Sequence, residues 1–249
     1  MRIKLIGCDV FARVLYRLAA DSPHTVDLEI LPMLAHDEPD QLREDLQEAI
    51  DRSSKNDVTY DKVVLAYGLC GNAVKDLKCH VPMIIPRVHD CCALYMGSRE
   101  EFLRVFGDRL STRWCTSGYH ERCGDYWATT FTPSQKPNHN FPDYKQLVEK
   151  HGEENAKYVW DMLHPPIESQ EAVYIQMDGF EYGNTKEQFT AETIKRDCAV
   201  ETEIGNMEWF DKLVNGPWDS KDFLELAPGH VVVPVYDMDE VFVGRPASM

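Results

Sequence analysis

Cys8 in "LIGCDVF", Cys70 in "YGLCGN", and His89 and Cys91 in "RVHDCC" are residue types that bind soft metals or act as nucleophiles. Imidazole nitrogen and thiolate sulfur are preferred ligands of Zn²⁺. The His89-x-Cys91 pair with Cys70 therefore offers three protein ligands and one open position, which is left for chemistry or filled by Cys8. A sulfur kept deprotonated by a metal is a strong nucleophile at neutral pH. Asp90, next to His89, or Asp9, next to Cys8, is the candidate carboxylate to orient His89 from behind. Free cysteine is also among the most buried residue types, so any one of the eight, at positions 8, 70, 79, 91, 92, 115, 123 and 198, reads first as packing. What argues for function is that Cys8, Cys70, His89 and Cys91 each follow a strand-like run. Cys92 points a different way from Cys91 on a helix and is assigned to the core.

Gly68, Gly71 and Asn72 flank Cys70 and permit a tight turn and close backbone approach to a cofactor. "GLCGNA" does not match the spacing of a dinucleotide-binding loop. A helix expected to begin near Cys70 would place a positive dipole end beside its thiol, so a metal-free reactive Cys70 is an alternative. Further on, "CTSGYHERC" offers Cys115, His120 and Cys123, but at no standard zinc spacing. The sequence favours ordinary loop residues there, with Trp114, Tyr119, Tyr126 and Trp127 walling a pocket or an interface.

The elements that must position these groups alternate regularly. Strands are expected over 3–8, 25–33, 60–68 and 81–86. Helices are expected over 11–20, 38–54 and 69–77 and in two further segments, "VHDCCALYMG" and "SREEFLRVFGD", the second capped by Ser98 with Glu101 three residues on. Strand and helix alternating in this way predict an α/β fold, a doubly wound and mostly parallel sheet, whose crevice lies beyond the carboxyl ends of the strands. From Ser111 to about Pro166 no period is clear, apart from a helix over 144–164. The alternation restarts with strands over 172–178, 198–205 and 230–237 and helices over 185–197 and 206–216, while "NGPWDSKDFLELAPGH" reads as a connector. Two α/β lobes follow: 1–118 carrying the Cys/His site, a loop and helical connector over 119–168, and 169–249.

Composition limits the partners. The chain has 249 residues, 43% hydrophobic and 27% charged, with a net charge of −16. Such a chain buries a substantial core and repels phosphate backbones and anionic lipid, so neither nucleic acid nor a membrane surface is an expected partner. Asp9, Arg13 and Arg17 interrupt any secretory apolar segment, which predicts a cytoplasmic protein with reduced thiols. A homodimer is the default expectation for such a fold.

The stretches "LIGCDVFARVL", "VVLAYGLCGNAV", "IIPRVHDCCALYMGSREEF" and "GNMEWFDKLVNGPWDSKDFLELAPG" resemble domain of unknown function family 1638. It is a bacterial and archaeal family often encoded beside corrinoid-dependent methyltransferases and their corrinoid proteins. The resemblance implies a role in one-carbon or methylated-amine metabolism, with a small-molecule methyl donor or acceptor and a corrinoid protein or methyltransferase as partners. His89, Cys91 and Cys70 are also similar in ligand type to the set of zinc methyltransferases that move methyl groups between corrinoid proteins and thiols, although here the distant cysteine comes first. Two classes of function are therefore expected: a zinc-dependent methyltransferase, or an accessory binding module that holds a corrinoid or haem with His89 or Cys70 as axial ligand.

Overall fold

The structure is a computed structural model that describes residues 1–33, 38–55, 58–109, 112–123, 171–235 and 240–247, with positions 144, 145, 148 and 153. Ten strands and seven helices are described. β1 (Arg2–Cys8), α1 (Ala12–Asp21), β2 (Thr25–Leu31), α2 (Pro39–Lys55), β3 (Lys62–Ala66) and β4 (Met83–Pro86) come first, followed by α3 (Cys91–Met96), α4 (Arg99–Phe106), β5 (Arg113–Cys115) and α5 (Ser117–Cys123). Further along the chain come β6 (Glu171–Gln176), α6 (Thr185–Ile194), β7 (Ala199–Ile204), α7 (Glu208–Asn215), β8 (Phe223–Leu226), β9 (His230–Pro234) and β10 (Phe242–Pro246).

The main sheet has the order β2-β1-β3-β4-β8. Its first four strands are parallel, in a register that sets Cys8 beside Leu31 and Gly7 beside Ala66. Period-two alternation separates its two faces. Val64, Ala66 and Ile84 enter one core with Val14 and Leu15 of α1, and Val63, Leu65, Met83 and Ile85 enter the other with Leu42, Leu46 and Ile50 of α2. Because α1 and α2 cover opposite faces, the chain reverses its winding at β1 and β3, and a crevice opens past their carboxyl ends. The expected mixed α/β fold with a mostly parallel sheet is what the structure has.

The 215–230 stretch differs from its reading as a connector. Phe223–Leu226 forms β8, antiparallel to β4, with Leu224 and Leu226 buried in the α2-side core. Four residues between turn signals carry too short a period to be distinguished from a loop. β5, β6 and β7 form a second, parallel sheet, and β9 and β10 an antiparallel pair. The main sheet thus draws on both the 1–118 and the 169–249 segments. One core continues from Ile3 and Leu5 through Tyr95 to Tyr174, Phe189 and Phe210. The helix expected over 144–164 lies outside the described residues except at positions 144, 145, 148 and 153, as do Tyr126 and Trp127. Among the described residues no helix is long and apolar enough to cross a membrane.

Candidate functional site

Three thiols meet at the reversal point. Cys8 ends β1; Cys70 follows β3 by a short turn; Cys91 opens α3 after β4. The two turns after β3 and β4 are tied together by main-chain bonds, Leu69 N to Val88 O at 2.8 Å and Cys70 N to His89 O at 2.9 Å. Gly68 permits that approach, since a Cβ there would stand 2.8 Å from Val88 O. Asp90 caps α3 by accepting from the amides of Cys92 at 2.9 Å and Ala93 at 3.3 Å, which fixes the helix start and with it Cys91. Cys92 is buried in the core, as its helical position predicts.

The turn carrying Cys70 is strained. Cys70, Gly71 and Asn72 have successive φ values of 45°, 68° and 75°. Left-handed backbone costs about 1–2 kcal/mol for an ordinary L residue, and asparagine and glycine tolerate it best. A cysteine held there points to a functional constraint. Arg43 of α2 supports the turn from outside, donating from Nη2 to Asn72 O at 2.9 Å. The helix expected over 69–77 is absent: Cys70–Asn72 is a single 3-10 turn, and the left-handed run prevents its extension. The anticipated helix-end lowering of the Cys70 thiol therefore does not occur.

The local field runs the opposite way. Burial, then the charges of Cys8 and Asp90, push Cys70 up to about 12. Burial is also the main cause for Cys8, pushed up to about 11, with Asp9 adding to it. Cys91 is raised well above its usual value by burial, then by Asp90, Cys70 and Cys8. The Tyr67 hydroxyl is likewise raised by burial and by Cys8 and Cys70. It faces Cys8, yet Tyr67 Oη, Asn72 Oδ1 and Arg43 Nε are buried with no well-formed hydrogen bond among the described residues. Such orphaned atoms are rare in a folded interior. Tyr67 carried no motif in the sequence; its one signal was its place directly after β3, whose last residue, Ala66, pairs with Gly7 next to Cys8.

His89 is among the residues lining a cleft with Arg87, Arg99, Phe102 and Trp209. Its Nε2 is buried with no hydrogen-bond partner among the described residues. Asp9 pairs with Arg122 at 3.6 Å, so its carboxylate is shared between Cys8 and α5. The structure thus brings together Cys8, Cys70, Cys91, Asp90 and Tyr67, with Gly68, Gly71 and Asn72 shaping the turn. Cys115, His120 and Cys123 are not loop residues: Cys115 ends β5, and the other two lie on α5. Among the described residues no group of three or more His, Cys, Asp or Glu side chains is placed so as to hold a metal ion. The donors at the rim, three sulfurs and a phenol, are of a kind that suits a thiophilic cation.

A sequence model of the family described as a protein of unknown function, DUF1638, matches residues 30–213. The chain belongs to that family. No curated protein and no solved structure matches it. The matched span of this DUF1638 member contains Cys70, His89 and Cys91, and Cys8 lies before it.

Proposed function

We propose that this DUF1638 member is a zinc-thiolate protein of one-carbon or methylated-amine metabolism that takes part in corrinoid-linked methyl transfer. Cys8, Cys70 and Cys91 hold the metal, and His89 serves the adjoining ligand space. The observation that carries this reading is the convergence of the three thiols, one of them on a strained turn, at the point where the sheet reverses its winding. When bound, zinc keeps a sulfur anionic and nucleophilic at neutral pH, the state in which a thiol accepts a methyl group.

The chain's own groups do the rest. Burial and mutual repulsion keep the three thiols protonated without a cation, so they are poised to exchange protons for one. Asp90 holds Cys91 at the helix start and adds a negative charge that a divalent ion offsets. Protein purified under reducing conditions without added metal is expected to contain zinc that Cys70→Ala and Cys91→Ala each remove. Unchanged zinc content in both, with a wild-type circular dichroism spectrum, would sink the reading.

A second reading is favoured by the unpartnered His89 Nε2: a binding module for a corrinoid or haem, docking onto a methyltransferase. A bound corrinoid or haem gives visible absorbance bands that His89→Ala shifts, whereas the zinc protein is colourless.

A further inference from the structure

β7 (Ala199–Ile204) lies at one side of the second sheet, in the order β5-β6-β7, and among the described residues it pairs with β6 alone. An edge strand leaves a row of main-chain N–H and C=O groups without strand partners, a template on which a further strand can form. This edge is accessible. Ala199, Thr202 and Ile204 are exposed, and no proline or glycine interrupts the strand.

The register decides which residues share a face. Thr202 pairs with Tyr174 of β6, whose ring centroid lies 5.9 Å from that of Phe189 in α6, so Val200, Thr202 and Ile204 are on the α6 side of the sheet. Glu201 and Glu203 alternate onto the other side, where they pair with Arg109 at 2.5 Å and Arg104 at 2.8 Å. Charge on an edge is a usual guard against self-association, but both of these carboxylates are offset by arginines of their own chain. The apolar side is left in water at its two ends. Ile204, which ends the strand, is 58% exposed, and Ile194, which ends α6, is 60% exposed. The turn over 195–198, closed by Cys198 N on Thr193 O at 3.3 Å, leads from Ile194 into the start of β7.

We propose that β7 is a homodimer interface, at which two copies of the chain pair their β7 edges antiparallel about a two-fold axis at Thr202. Val200 then stands opposite Ile204 of the second copy and Thr202 opposite its own equivalent, cross-strand pairs of β-branched residues that favour a sheet. Antiparallel pairing also sets the start of one β7 beside the end of the other, so the exposed Ile194 and Ile204 approach each other across the axis. Glu201 comes opposite Glu203, each already held by its arginine. The interface is small and a net charge of −16 on each copy opposes approach, so the dissociation constant is on the order of 10 μM and falls as salt screens the repulsion. The thiol rim plays no part in this pairing, and either reading can fail alone.

Sedimentation velocity of the full chain over a concentration series tests it. Wild type is expected to dimerise, more tightly at higher salt. The double variant Ile194→Lys with Ile204→Lys, whose positions are exposed, is expected to weaken the dimer at least tenfold with an unchanged circular dichroism spectrum. Thr202→Cys sets the introduced thiol opposite its own equivalent, with about 4.5–5.5 Å between Cα atoms, which is within reach of a disulfide. Oxidised glutathione should therefore give a covalent dimer linked at that position by peptide mass analysis, while Tyr16→Cys, on the exposed face of α1, gives none. A chain that stays monomeric at every concentration and salt overturns the proposal. So does a dimer that the lysine variant leaves intact and Thr202→Cys does not cross-link, because its interface lies elsewhere. Should the lysine variant misfold, the presence or absence of the Thr202→Cys cross-link decides.

Discussion

Cys70 shows how a single residue joins strain to chemistry. Its φ of 45° opens a left-handed run through Gly71 at 68° and Asn72 at 75°. Gly71→Ala adds a Cβ to that conformation and is expected to cost about 1–2 kcal/mol, read as a lower urea midpoint at unchanged slope. The thiols themselves set a pH limit. Folded Cys8 and Cys70 titrate at about 11 and about 12, above the unfolded thiol value of 9.0. A group whose pKa is raised on folding contributes stability that is complete below the unfolded value and lost as pH rises through the folded one. Metal-free protein should therefore lose stability between about pH 9 and pH 12 in urea titrations at stepped pH. Stability that is flat across this window would mean that the thiols are not held as described.

At the scale of elements, α3 matters more than its six residues suggest, because its start places Cys91. Asp90 both caps the helix and adds charge to the thiol field. The two roles separate by substitution. Asn caps nearly as well as Asp, so Asp90→Asn should keep stability to within about 0.5 kcal/mol. It should also lower the thiol pKa values of Cys70 and Cys91, and so speed their alkylation near pH 9. Asp90→Ala loses the cap as well, and about 1 kcal/mol with it. Equal alkylation rates in wild type and Asp90→Asn would show that the carboxylate charge does not reach the sulfurs. The neighbouring helix needs no such test of register: Ser98 accepts from Glu101 N at 3.1 Å, the cap that the sequence predicts.

At the scale of the whole molecule, the five-stranded and three-stranded sheets share a core. Phe11 from the β1 turn, Tyr95 of α3 and Phe210 of α7 meet with ring centroids 5.0–5.5 Å apart. Tyr95 Oη donates to Val10 O at 2.7 Å, tying α3 to the end of β1. Phe210 is fully buried, and Phe210→Ala is expected to cost about 3–5 kcal/mol. Since the cluster spans both sheets, the loss should appear as one lowered cooperative transition. Two separated transitions in calorimetry would show that the sheets unfold independently.

Local pattern alone was enough to read the four strands and all but one of the helices over the first hundred residues, the Ser98 cap, the core role of Cys92, and the position of Cys8, Cys70 and Cys91 at or just past the ends of their strands. Each of these follows from periodicity or from a capping rule that acts within a few residues. Tertiary structure decided what no local rule reaches. It placed His89 in the lining of a cleft with Phe102 and Trp209 and tied the turns after β3 and β4 to each other by main-chain hydrogen bonds. It put Tyr67 against Cys8 through the β1–β3 register, drew β8 back to β4 from far along the chain, and set His120 opposite Glu192, 72 positions away. Sequence period specifies which face of an element is apolar; where a polar side chain finds its partner depends on packing between segments that the sequence does not bring near each other.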